Sequence, residues 1–196
     1  MDFKEKIAHL RSTSIIGKTI DLVPYGMEYL DDIIRLRNQE GAKYFLSQDF
    51  DVNRKQQIEW IEGYENRDEE FGFMVCNKRG DIVGINFCYD FDGHSMELGR
   101  TTFDIERIVG KPYAIEAGVL FADIVFNYLD LELWKTTTKA DNFRLLKWHK
   151  RMNWRTTGTC EVRNNLYETL ELKRADDIYE KTFLSIYEAR QMALQQ

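Results

Sequence analysis

Residues 104–126 read DIERIVGKPYAIEAGVLFADIVF. From Ile115 onward the apolar positions Val119, Ala122, Phe126 and Leu129 follow in steps of four, three, four and three. That spacing predicts a well-buried helix. Ahead of it a strand gives way to a loop containing Gly110, and the helix starts abruptly. A helix start presents unpaired backbone N–H groups and the positive end of a macrodipole, which together bind phosphate, with pyrophosphate the natural guest. One glycine before a helix is equally the mark of an ordinary strand-to-helix turn.

Upstream, three strands are expected in succession: Phe71–Cys76 (FGFMVC), Ile82–Tyr89 (IVGINFCY) and Met96–Phe103 (MELGRTTF). The turns NKRGD and DFDGHS separate them, so they read as an antiparallel meander. Before the meander, Lys18–Pro24 alternates like a strand. Met27, Leu30 and Ile34 mark one face of a helix over Met27–Arg37, and Asn53 can cap a helix running through Trp60 to Tyr64. Downstream, Trp134–Lys139 is a Thr-rich strand, and a helix capped at Asp141 or Asn142 carries Leu145, Leu146, Trp148 and Met152. Thr156–Val162 and Tyr167–Leu172 read as a hairpin, and Ala175–Ala193 as a terminal helix. This order predicts an α/β fold in which a mixed, mostly antiparallel sheet carries helices on both faces.

With 196 residues, 43% hydrophobic and 31% charged, the chain suits one domain with a substantial core. Only 2 Pro and 12 Gly are present and no linker composition divides it, so a single domain over 1–196 is expected, with 1–14 flexible. No apolar run approaches the ~20 residues of a membrane span. The opening MDFKEKIAHLRS lacks the apolar core of a secretory signal, and a cytoplasmic protein is expected. Cys76, Cys88 and Cys160 are odd in number and lie in strand-like surroundings, which suits reduced core thiols. A net charge of −6 argues against general nucleic-acid binding. From Asp141 to Arg155, however, five cations face one acid, a local balance of +4.

The stretch Gly110-Lys111-Pro112-Tyr113-Ala114-Ile115-Glu116-Ala117 resembles the acyl-CoA pyrophosphate loop of GNAT N-acetyltransferases. It is most similar to the branch of ribosomal-protein N-terminal and aminosugar-nucleotide acetyltransferases, which usually show Arg-Gly-Lys-Gly-Tyr-Ala-Thr-Glu-Ala there. Glu97-Leu98-Gly99, Asn142 opening a helix that ends Met152-Asn153-Trp154, and Leu36-Arg37-Asn38 with Gln57 and Trp60 also resemble that branch. Pro112 departs from the family's second glycine and removes one N–H, although proline suits a first helical turn. Val109 stands where arginine is common, leaving Arg107 or Lys111 to supply the charge, and Asn153 replaces a glycine.

The resemblance implies a splayed central strand pair and direct transfer of an acetyl group from acetyl-CoA to an amine, with no metal. It implies main-chain contacts to the pantetheine arm from Phe103, Asp104 and Ile105. The pyrophosphate falls to Gly110, Lys111, Tyr113 and Ala114. Asn142 would hold the cofactor through its amide, and the basic helix after it, with Lys147, would face the phosphorylated adenosine or simply form a solvated face. Glu97 is the candidate base, with an exposed strand-end carboxylate as the alternative. His149 stands where many relatives place a tyrosine acid; it is a candidate acid or a core or surface histidine. Tyr167 is a reserve acid.

Between Asp51 and Glu70 seven acids face Arg54, Lys55 and Arg67, a balance of −4 that would attract a cationic amine or merely wet a helix face. Leu36-Arg37-Asn38 leans toward amino-sugar nucleotides. A small-molecule amine or amino sugar is therefore the expected acceptor. A protein N-terminus and a non-catalytic acyl-CoA sensor are the alternatives, and the chain is a monomer or homodimer.

Overall fold

One sheet of eight strands organises the protein, and the structure, a computed structural model, describes residues 1–194 of it. The strands are β1 (Ile15–Ile16), β2 (Ile20–Pro24), β3 (Phe71–Asn77), β4 (Ile82–Tyr89), β5 (Ser95–Phe103), β6 (Leu133–Lys139), β7 (Arg155–Val162) and β8 (Asn165–Lys173). Their order is β1-β2-β3-β4-β5-β6-β8-β7, and every neighbouring pair is antiparallel except β5 and β6. The fold is therefore the expected mixed, mostly antiparallel sheet.

Helices α2 (Leu30–Arg37) and α4 (Arg54–Glu65) cover one face, over a cluster that includes Tyr25, Leu36, Ile61, Tyr64 and Phe87. The other face carries α1 (Phe3–Leu10), α6 (Tyr113–Asp123), α7 (Phe143–Arg151) and α8 (Tyr179–Leu194), over a larger cluster centred on Phe73, Phe121 and Trp134. Alternation along each strand sends successive side chains to opposite faces, so the two clusters interleave in sequence but never mix.

Several elements differ from expectation. Residues 1–14, expected to be flexible, contain α1: Asp2 and Glu5 form a capping box, and Ile7 and Leu10 are buried. The connection Gln39–Val52 carries a short helix, α3 (Glu40–Phe45). The long central helix is α-helical only to Asp123, then passes through one π turn over Ile124–Tyr128 in which the Leu129 amide donates to the Ile124 carbonyl at 2.8 Å. The terminal helix begins at Tyr179 rather than Ala175, because the Asp177 carboxylate accepts the Tyr179 amide at 2.9 Å and starts the helix there. Asn142, not Asp141, caps α7, and Asn153 just beyond that helix has φ +63°, the left-handed conformation asparagine tolerates.

The central strand pair splays. β5 and β6 pair only from Ser95↔Leu133 to Leu98↔Thr136, and Thr137–Lys139 have no partner on β5. The cause lies in β5. Its pairing with β4 jumps from Phe87↔Gly99 to Ile85↔Thr102, so Arg100 and Thr101 together oppose Asn86, and Arg100 takes φ +49°. Such a bulge bends and twists its strand, here turning the end of β5 away from β6.

Candidate active site

α6 and α7 each follow one member of the parallel pair, so both helices begin at the same edge of the sheet, beside the splay. Between β5 and α6 the chain forms a short helix, α5 (Ile105–Ile108), capped by the buried Asp104. The Asp104 carboxylate pairs with Arg35 at 2.7 Å and Arg107 at 3.1 Å, and its amide donates to the Val83 carbonyl at 2.9 Å. Of Phe103, Asp104 and Ile105, expected as an extended edge for the pantetheine arm, only Phe103 is strand. Asp104 is used as a cap and Ile105 is helical. Arg107 is likewise tied to Asp104, whereas the exposed Lys111 has no carboxylate partner among the described residues.

The loop amides divide. Lys111 donates to the Ile108 carbonyl at 2.9 Å, whereas the amides of Gly110, Tyr113 and Ala114 have no hydrogen-bond partner among the described residues. Gly110 has φ +70°, and a Cβ added to it would meet nothing within 4 Å, so glycine is needed for the backbone conformation and the space above it is open. Pro112 is the helix N-cap, so its missing donor falls just before the free amides of the first helical turn. Glu116 fixes the first turn of α6. Buried, its carboxylate accepts the Lys18 amide, the Thr19 amide at 2.9 Å and the Thr19 hydroxyl.

Glu97 sits near the apex of the splay, on the α2/α4 face with its antiparallel partner Tyr89. Thr137, the first unpaired residue of β6, donates its hydroxyl to Glu97 Oε1 at 3.1 Å. Burial holds the Glu97 carboxyl above the ordinary carboxylate range, with the hydroxyls of Thr137 and Tyr89 opposing the shift. The Tyr89 hydroxyl packs on Gly99, where an added Cβ would collide with it. A half-buried, hydroxyl-supported carboxylate is suited to taking a proton from an amine.

His149 occupies a core position, one of the two readings open in sequence. It is 4% exposed on α7, its ring is edge-on to Trp154 at 5.2 Å, Nδ1 has no partner, and burial lowers its pKa to about 4. At neutral pH the ring is uncharged: able to donate a hydrogen bond, poor at giving up a proton. The same burial has a measurable cost in acid. The folded-state pKa lies below the ordinary 6.5, so stability is fully present above pH 6.5 and is lost as pH falls toward 4. Between pH 7 and 4.5, His149→Phe is expected to lose about 2–3 kcal/mol less unfolding free energy than the native protein. Urea titrations at the two pH values test this, and identical pH dependence in both proteins would refute it.

Tyr167 is also committed elsewhere. Its hydroxyl lies 2.6 Å from Ser47 Oγ and 3.3 Å from the Phe45 carbonyl, which fastens the 40–52 segment to β8. Asn142 accepts the Leu145 amide at 3.2 Å through its side-chain oxygen, so only its NH2 group is left to donate outward. Arg144, Lys147, Lys150 and Arg151 are exposed on α7, and none pairs with a carboxylate among the described residues. Thr137, Tyr89 and Arg100 were not singled out by sequence. The first two become legible once Glu97 is placed, because β-strand alternation and pairing put them on its face.

The Acetyltransferase (GNAT) domain family matches residues 20–155, which spans β2 to the start of β7 and includes every element described around the splay. The chain belongs to the GNAT family. As a GNAT protein it is an acyltransferase. No curated protein matches the chain in sequence. Among solved structures, a GCN5-related N-acetyltransferase from Brucella melitensis aligns with a TM-score of 0.75 at 18% identity, over 88% of this chain and 84% of that one. An apo structure described as a nucleotide-linked sugar GNAT gives 0.73 at 19% identity, over 88% and 96%. Spermidine N-acetyltransferase from Vibrio cholerae, in complex with CoA and spermine, gives 0.72 at 14% identity, over 82% and 98%. These GNAT structures share the fold. Among the described residues no helix is long and apolar enough to cross a membrane, and no His, Cys, Asp and Glu side chains cluster as a metal site.

Proposed function

We propose that this GNAT protein transfers acetyl from acetyl-CoA to the primary amine of a small molecule, with an amino sugar, including a sugar nucleotide, as the acceptor class. The observation that carries the reading is the set of free amides at Gly110, Tyr113 and Ala114, set beside a strand splay with a half-buried carboxylate near its apex. The residues suit the cosubstrate. The free amides and Lys111 offer a diphosphate cradle, the Asn142 NH2 group and the α7 cations flank it, and two buried polar atoms, Thr138 Oγ1 and His149 Nδ1, are unpartnered on the α6/α7 face. When bound, acetyl-CoA supplies a thioester that an amine can attack. Glu97, ionised, would take the amine proton; Thr137 orients the carboxylate; the sulfur would leave as a thiolate that accepts a hydrogen bond from the neutral His149 ring and takes its proton from solvent.

A small acceptor is favoured over a protein N-terminus because the 40–52 segment roofs the Glu97 face. It is joined to α2 through Arg37–Gln48 and Asn38–Val52, and to the far side of the splay through Tyr44–Asp141 and Ser47–Tyr167. Several of the acids expected to draw in a cationic amine are already paired. Asp51 pairs with Lys43, Asp68 with Lys4 and Glu59 with Lys55, all at exposed positions, and Glu70 is held by Arg67 and Arg100.

Gly110→Val tests the cradle. A β-branched residue at φ +70° costs about 1–3 kcal/mol and covers the free amides, so acetyl-CoA affinity is expected to fall roughly 5- to 100-fold by calorimetry. Unchanged affinity in a folded variant would take the loop out of the site.

A further inference from the structure

Two cations lie beneath the roof without a carboxylate to balance them. Arg37 donates through Nε and Nη2 to one amide oxygen, Gln48 Oε1, at 3.2 and 2.8 Å. Lys139, 8% exposed at the end of β6 that β5 leaves, has its Nζ 3.3 Å from the Tyr44 carbonyl and 3.5 Å from the centroid of the Tyr44 ring. Among the described residues neither reaches an acidic oxygen within 4 Å. The nearby Asp141 instead accepts the Tyr44 hydroxyl. A buried charge left without a counter-ion is costly, and both side chains hold only neutral oxygens that a stronger acceptor would displace. The remaining ionic groups on this face are accounted for: Arg67 and Arg100 share Glu70, and Glu97 stands near the apex within reach of the Asp90 charge, neither acid pairing with Arg37 or Lys139.

Resting on the acetyltransferase reading above, we infer that the amine acceptor carries a phosphate or diphosphate group, and that Arg37 and Lys139 bind it from opposite ends of the Tyr44–Gln48 segment. The planar guanidinium and the compact ammonium suit a multiply charged oxyanion, and two uncompensated cations match a phosphate dianion. The same pair repels a polyamine. Burial lowers the Arg37 pKa, a penalty that a bound anion would relieve. An acceptor of this kind comes from a reaction class that places an amine on a phosphorylated or nucleotide-linked carbon skeleton before this enzyme acts.

Calorimetry on the full chain saturated with CoA, so that the α6 cradle is filled, tests the site with two probes of opposite charge, inorganic pyrophosphate and spermine. Pyrophosphate is expected to bind and spermine not. Arg37→Gln and Lys139→Met are each expected to weaken pyrophosphate by about tenfold or more while CoA affinity is unchanged. Gln48→Glu, which sets a carboxylate against Arg37 without removing bulk, is expected to weaken it as well and covers the case in which Lys139→Met does not fold. Spermine binding with no pyrophosphate binding, or pyrophosphate affinity unmoved by all folded variants, overturns the inference. Pyrophosphate binding that remains sensitive to Lys139, in a protein that acetylates no amine, would sink the acetyl-transfer reading and support the anion site.

Discussion

Glu97→Gln is expected to lower kcat by about 100-fold or more while leaving acetyl-CoA affinity unchanged, the magnitude general-base catalysis typically supplies. The amide keeps the shape of the carboxylate, and its oxygen can still accept the Thr137 hydroxyl at the apex of the splay, so the packing around β5 and β6 is preserved. What is removed is the group proposed to accept the amine proton. The pH profile adds an independent check. Burial raises the Glu97 pKa, and the carboxylate must be ionised to act, so native kcat should fall as pH drops through a value above the ordinary 4.5. In Glu97→Gln that acid limb should be gone. Steady-state thiol release at saturating acetyl-CoA measures both, and a variant retaining more than about a third of native kcat would mean the amine loses its proton elsewhere.

The largest effect on stability is expected from Trp134→Ala, a loss of about 3–5 kcal/mol in urea unfolding. Trp134 is fully buried on β6. Its ring is stacked with Phe121 of α6 at 6.5 Å, meets Phe126 edge-on at 6.3 Å, and lies 5.2 Å from Trp154 and 6.1 Å from Tyr179 of α8. Removing it opens a cavity where both ends of the larger core meet, and aromatic neighbours tied to three helices have little freedom to close it. The indole nitrogen faces only a weak acceptor, the Cys88 sulfur, so Trp134→Phe should cost much less than the alanine change. A loss under about 1 kcal/mol for Trp134→Ala would show that the surrounding rings repack.

The parts of this fold that were legible in the sequence are those in which local chemistry and burial agree. β3, β4 and β5 are apolar runs closed by Asn, Gly and Asp turns, and Asn53 signals the start of α4 through a capping box with Gln56. α6 announces itself by its stripe, although Val119 on that stripe is only partly buried while Phe121 and Val125, off it, are fully so. Short elements escaped because four to eight residues carry too few turns of periodicity: α1, α3 and α5 are all of this kind. Asp104 belongs with them. It reads as the end of a strand, and only contact with Arg35, sixty-nine residues earlier, shows it closing β5.

Site residues divide along the same line. Gly110 and Tyr113 are set by the local geometry of a helix start, which sequence conveys. The charge state of His149 depends on Trp154 and the packing of α7 against the sheet, and the position of Tyr167 depends on Ser47, 120 residues away, so neither followed from its neighbours in the chain. Arg37 was noticed for its motif, but its lack of an acidic partner is a property of the folded protein alone.

The sheet itself has a consequence for how such a protein diversifies. The α6 loop, the start of α7 and the Trp134 core depend on residues of one face, whereas the 40–52 roof, Arg37 and Lys139 belong to the other. Because alternation along β5 and β6 assigns neighbouring residues to opposite sides, point changes on the roofed side, the proposed acceptor side, would leave the proposed acyl-donor half intact. Selection on these two halves is thereby uncoupled, and a lineage built on this scaffold can explore new amines while its donor chemistry stays fixed.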